Sequence, residues 1–147
     1  MGCMVSGRTA RDRKGQAVVE FALVLPVFLL LVFGAIEFGR AYYDLHLLTN
    51  AAREGARVGS LPDRLESDVQ AAVTGFLHDV GLSSGCTTAT SVTDPAGAAR
   101  AGGLVNAVEG DRVRVTVSYS FHVLSGRILP GFTGTVQLRG RCVFRHE

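Results

Sequence analysis

From Ala17 to Ile36 the chain carries a single charged residue, Glu20, in a run that is otherwise almost wholly apolar. As a helix, this run of about 20 positions at 1.5 Å each is roughly 30 Å long, the thickness of a bilayer core. Arg8, Arg11, Arg13 and Lys14 precede it against one acid, Asp12. The positive-inside rule therefore keeps residues 1–15 in the cytoplasm and sends the rest outward. A secretory signal peptide is the competing reading, but its apolar region is short and ends at a small-residue cleavage site. Here Glu37, Phe38 and Arg40 follow the run instead. These features mark a protein handled at a membrane and not a soluble enzyme.

A lone carboxylate within hydrocarbon costs about 2.5 to 3.5 kcal/mol at mid-helix and less near an end. Glu20 sits one turn in. Cleavage after Gly15 would make Gln16 the new amino terminus and Glu20 the fifth residue of the mature chain. A neighbour's ammonium group would then neutralise Glu20 where the dielectric is low. The bland alternative is an acid that snorkels from the helix end with no role.

Gly15-Gln16-Ala17-Val18-Val19-Glu20-Phe21 resembles the prepilin-peptidase signature of the type IVb, tight-adherence (Flp) pilus system. Gly34-Ala35-Ile36-Glu37-Phe38-Gly39-Arg40-Ala41 and Leu48-Thr49-Asn50-Ala51-Ala52-Arg53-Glu54-Gly55-Ala56-Arg57 are similar to the TadE-like minor pilins, or pseudopilins, of that system. The resemblance covers about residues 13–59 of the sequence. It implies processing at Gly15, Gln16, Glu20 and Phe21 by a membrane aspartyl prepilin peptidase on the cytoplasmic side, then a part in pilus assembly beside other pilins.

The net charge of +2 is too small to argue for nucleic acid or an acidic partner. Beyond the membrane, Ala41, Leu45, Leu48, Ala52, Gly55 and Gly59 recur in steps of four and three, a stripe that predicts an amphipathic continuation to Gly59. Ala51, Gly55 and Gly59 form a small-xxx-small series, the pattern of a close helix contact with a neighbouring subunit. The alternative is that the stripe packs under the chain's own head, and both can hold along different lengths. Pro26 removes a helical hydrogen bond and should bend the helix near Ala22–Pro26.

Ser60-Leu61-Pro62-Asp63 breaks the helix, and Leu65, Val69, Ala72, Val73, Phe76 and Leu77 predict a second one over residues 63–80, with Gly81 as its C-terminal cap. Cys86–Thr93 reads as a short strand. Residues 94–103 are too poor in large apolar groups to pack well and should be mobile. Val113, Val115, Val117, Tyr119 and Phe121 alternate with polar residues, and Val136, Leu138, Cys142 and Phe144 repeat the pattern, with Gly140 a candidate bulge. Ile128-Leu129-Pro130-Gly131-Phe132 reads as an apolar turn over the head.

The expected fold is α+β and pilin-like: a long N-terminal transmembrane helix, an amphipathic stem, a second helix and a small antiparallel sheet of about three strands. The expected organisation is a cleaved leader at 1–15, a membrane helix and stem at 16–59 and an extracytoplasmic head at 60–147. Cys3 precedes the proposed cut, whereas Cys86 and Cys142 lie in the exported part. Their pairing would stabilise so small a head by about 4 kcal/mol, and two separate buried thiols are the alternative.

His46, His78, His122 and His146 assemble no recognisable triad, no phosphate loop is present, and two cysteines with scattered histidines lack metal-ligand spacing. No enzyme activity, cofactor, metal, nucleic acid or small-molecule substrate is expected. His78-Asp79 reads as a solvated helix end. Two functions are compatible with this reading. One is a minor pilin or pseudopilin with membrane, prepilin peptidase and other pilins or pilus assembly components as partners. The other is a single-pass, membrane-anchored binding or adhesion module that stays outside any filament.

Overall fold

The computed structural model describes residues 10–82, 84–123 and 134–147, with side chains from Gly15 onward. The apolar turn expected at 128–132, and Cys3, lie outside the described residues.

Helix α1 runs unbroken from Ala10 to Gly59 and passes through Pro26 without interruption. It begins six residues before Gln16, so residues 10–15 and the apolar run are one continuous helix. Its far end is buried: Leu48, Ala51, Ala52 and Ala56 are sealed from solvent in the core. The chain turns at residues 60–65, where Asp63 takes a positive φ of 59°.

Helix α2 spans Glu66–Asp79, starting three residues later than the expected position 63. The reason is local. Left-handed Asp63 and extended Leu65 cannot be helical, and the Asp68 carboxylate accepts the Leu65 amide at 3.1 Å, fixing Leu65 as the N-cap. Leu65 is thereby displaced from the expected core face and is 52% exposed, while Val69, Val73 and Leu77 are buried. At the other end Gly81, with φ 77°, permits a Schellman closure: its amide meets the His78 carbonyl and the Leu82 amide meets that of Leu77 at 2.8 Å.

Strands β1 (Cys86–Thr93), β2 (Arg112–His122) and β3 (Thr135–Arg145) form an antiparallel sheet in the order β1-β2-β3. Alternation aims Val113, Val115, Val117 and Phe121 of β2 inward, where all four are buried. Both helices cover that face. Gly140 is not a bulge. It pairs regularly with Val117, and it is glycine because any Cβ there would overlap the Leu48 carbonyl and the Thr49 amide nitrogen of α1. The small residue lets helix and sheet backbones touch.

Residues 94–103 are largely exposed, but polar bonds organise them, which their poverty in large side chains did not suggest. The Asp94 carboxylate accepts the Ala98 amide at 2.8 Å, the Arg100 amide reaches the Val92 carbonyl at 2.9 Å, and a 3-10 turn at Gly103–Asn106 buries Leu104.

The disulfide expected between Cys86 and Cys142 is corrected. Both are free thiols, and the register explains why. Cys86 lies opposite Tyr119 and Cys142 opposite Val115, on different sides of β2. Four residues along a strand and two strand spacings across separate them by about 17 Å, whereas a bridge needs Cα atoms within about 7 Å. Alkylation of the denatured, unreduced chain is therefore expected to label both. A chain that labels only after reduction would contradict this register.

Candidate membrane and assembly interface

Val18, Val19, Phe21, Leu23, Val24 and Val27 open a sleeve of exposed large apolar side chains that continues to Phe38. Gly15–Gly59 is, among the described residues, the one helix long and apolar enough to cross a membrane, and none of its most apolar window is covered by the rest of the chain. So large and continuous an apolar surface has to be covered by something other than water. Length and composition make it a single candidate span.

At the start of the sleeve, Gln16 and Glu20 lie one helical turn apart, and the Gln16 amide nitrogen donates to a Glu20 carboxylate oxygen at 3.3 Å. Gly15, Gln16, Glu20 and Phe21 are all exposed. A Cβ built on Gly15 meets nothing within 4 Å, so no packing within the chain demands glycine there.

An aromatic collar ends the sleeve. Phe38 stacks on Tyr42 at 6.4 Å, Tyr42 meets His46 edge-on at 4.4 Å, and Tyr43 is exposed beside them. Amphipathic rings at this depth suit the headgroup layer. Arg40, within the collar, places its guanidinium 5.5 Å above the Phe121 ring and joins the helix to β2. The sequence reading missed this collar, although the i, i+4 spacing of Phe38, Tyr42 and His46 directly after the apolar run was a legible signal. Asp44, on the next turn, is partly buried. Burial pushes the Cys86 thiol up, with the Asp44 charge adding to it.

Ala51, Gly55 and Gly59, expected as a subunit contact, are taken up by the chain's own head. A Cβ on Gly55 would sit 2.5 Å from the Val73 side chain, and one on Gly59 3.0 Å from that of Val113. Ala51 is fully buried in the same core. The small residues admit α2 and β2 to α1, so this surface is not free for a neighbour.

The far end of α1 is secured by the last residues of the chain. The His146 ring nitrogen Nδ1 lies 3.2 Å from the Gly59 carbonyl, and the Glu147 amide donates to the Ser60 carbonyl at 2.9 Å. Buried Asp111 holds this corner. It accepts two bonds from Arg100, at 2.9 and 2.6 Å, and one from the Val108 amide at 3.0 Å, while its carbonyl accepts the His146 amide at 2.7 Å. The Arg100 bonds, with help from the Val108 amide, hold the Asp111 carboxyl below its usual range. A carboxyl with a lowered folded pKa contributes stability that is complete above its unfolded pKa, about 3.9, and disappears as pH falls through the folded value. The melting temperature is thus expected to fall steeply below about pH 4, and Arg100→Gln should flatten that acid limb. An unchanged acid limb in Arg100→Gln would contradict the assignment.

His78 and Asp79 are solvent-exposed at the end of α2, as the sequence suggested. No group of three or more His, Cys, Asp or Glu residues able to hold a metal occurs among the described residues.

Residues 15–57 match the family model TadE, described as TadE-like protein. The matched stretch is the apolar sleeve, the collar and most of the buried stem, and over these residues the chain is similar to TadE-like proteins. No curated protein and no solved structure matches the chain.

Proposed function

From a TadE-like stem joined to a small α+β head, we propose a minor pilin or pseudopilin that contributes to assembly of a Flp/Tad-type pilus used in adhesion. The observation that carries this reading is the family match falling on the one exposed apolar helix among the described residues. In this reading the basic residues before Gly15 hold the N-terminus in the cytoplasm, the helix spans the membrane, and the head stands outside. Prepilin peptidase removes residues 1–15, which leaves 16–59 as membrane helix and stem and 60–147 as head. The role is structural and involves no catalysis.

Cleavage also accounts for Gly15. A peptidase acts on an extended backbone, and α1 is helical across the proposed cut. Glycine weakens a helix by roughly 0.5 to 1 kcal/mol relative to alanine, so it eases local unwinding as well as leaving room for the enzyme. Gly15→Ala is therefore expected to slow or abolish processing while membrane insertion persists, since the open space around Gly15 makes the change harmless to the fold. Mature-length Gly15→Ala protein at wild-type levels would sink the proposal.

A membrane-anchored binding module that remains outside any filament is the second reading. The burial of Ala51, Gly55 and Gly59 within the chain's own head favours it to the extent that it removes one expected subunit contact.

A further inference from the structure

The near-neutral total charge conceals a segregation that only the strand register reveals. With Val113, Val115 and Val117 aimed at α1, Arg112 and Arg114 point to the opposite face of the sheet. Pairing places Arg145 opposite Arg112, Arg141 opposite Thr116 and Arg139 opposite Ser118 on that same face. All five arginines are exposed, and none has an ion-pair partner among the described residues. The described strand residues that share the face include no Asp, Glu, Phe, Tyr or Trp; they are chiefly Ser and Thr, such as Thr87, Ser91, Thr93 and Thr116. Arg112 and Arg145 face each other directly, a like-charge pair that destabilises a sheet. The fold tolerates it without an internal counter-ion.

We infer that this arginine strip is a docking surface for a linear anionic polysaccharide. Its shape supports that occupant. From Arg139, opposite Ser118, to Arg112 the strip spans six residue steps of β2, about 20 Å, and is about one strand spacing wide. It runs alongside α1, because Val113 lies by Gly59 and Val115 by Gly55, while Phe121 lies by Arg40. In a chain whose α1 stands across a membrane, the strip stands upright and a planar lipid surface would touch only its end. The sheet also lies between the strip and α1, so association through the membrane helices would leave the arginines facing outward. Readers of duplex DNA insert a helix or ribbon into a groove, and binders of single strands stack bases on aromatic rings. This face is flat and has no such platform. What it offers is guanidinium forks about 7 Å apart at Arg112 and Arg114 and at Arg139 and Arg141, with Arg145 about 13 Å beyond Arg141, suited to carboxylate or sulfate groups, with hydroxyls between the strands' arginines. The inference does not depend on processing or on entry into a filament.

The test uses the full chain in zwitterionic detergent micelles with labelled polygalacturonate as the probe. Binding is expected at low salt and, for about five neutralised charges, should weaken roughly a hundredfold between 50 and 200 mM salt. Arg139→Gln with Arg141→Gln should cut affinity at least about tenfold, whereas Arg53→Gln with Arg64→Gln, an equal charge loss elsewhere, should leave it within about twofold. Ala89→Glu with Ser91→Glu keeps every arginine and should weaken binding as well, so the outcome does not hang on one variant folding. No binding by the wild type, equal losses in the two arginine pairs, or tighter binding of duplex DNA or of phosphatidylglycerol vesicles than of polygalacturonate would overturn the inference.

Discussion

Gly140→Ala is expected to cost the head about 3 kcal/mol or more, because the new methyl must displace the backbone of α1 at Leu48 and Thr49 and not a side chain that can rotate away. Overpacking against side chains commonly costs about 1 to 3 kcal/mol; against two backbones the relief requires helix and sheet to separate. For a head of this size that loss lowers the melting temperature by roughly 10 to 20 °C. Gly75→Ala is the control. It lies within α2 with nothing near its would-be Cβ, so it should gain roughly 0.5 to 1 kcal/mol from helix propensity. Thermal melts of the two variants, followed by circular dichroism, are predicted to move in opposite directions. A Gly140→Ala melt within 2 °C of wild type, on the order of the shift expected from a surface change, would contradict the close packing of α1 on β3.

Glu20→Leu is expected to separate two properties that a purely structural residue would keep together. Removing the carboxylate deletes a polar penalty of up to about 3 kcal/mol in hydrocarbon, so insertion and processing should persist or improve. If Glu20 meets the new amino terminus of a neighbouring subunit, the same change removes the register signal, and assembly should fail. Co-purification with other pilins, or pilus-dependent attachment, is predicted to fall at least about tenfold at equal protein abundance, the loss of a charge pair worth more than about 1.4 kcal/mol. Among the described residues Glu20 meets only the Gln16 amide, at 3.3 Å and exposed, so none of them is a strong partner that competes for it. Normal assembly by Glu20→Leu would remove Glu20 from the account and favour the anchored module.

What could be read from the sequence was whatever depends on short-range pattern. The period-two alternation of Val113 to Phe121 placed β2, the 3.6-period stripe placed α2, and Gly81 closed that helix as its conformation required. What could not be read depends on which element lies against which. Gly140 looks like a bulge along its strand and becomes a contact point only once α1 is laid across the sheet. Ala51, Gly55 and Gly59 announce a close helix approach without saying whose helix, and here α2 and β2 of the same chain occupy it. Cys86 and Cys142 are both half-buried in strands, yet the register sets them four residues apart on opposite sides of β2. The ion pair of half-buried Arg100 with buried Asp111 joins a loop to a strand start with no local pattern to flag it. The arginines of β2 and β3 were plain to see, but their convergence on one face follows from pairing alone.

The proposed role rests most directly on the removal of residues 1–15, and the mass of the membrane-bound chain measures it. In cells with the peptidase the chain is predicted to be about 1.6 kDa lighter than in cells without it, at a mean residue mass near 110 Da, and to begin at Gln16, with the head accessible from outside. A full-length chain of 15.6 kDa in both backgrounds would contradict the pilin assignment.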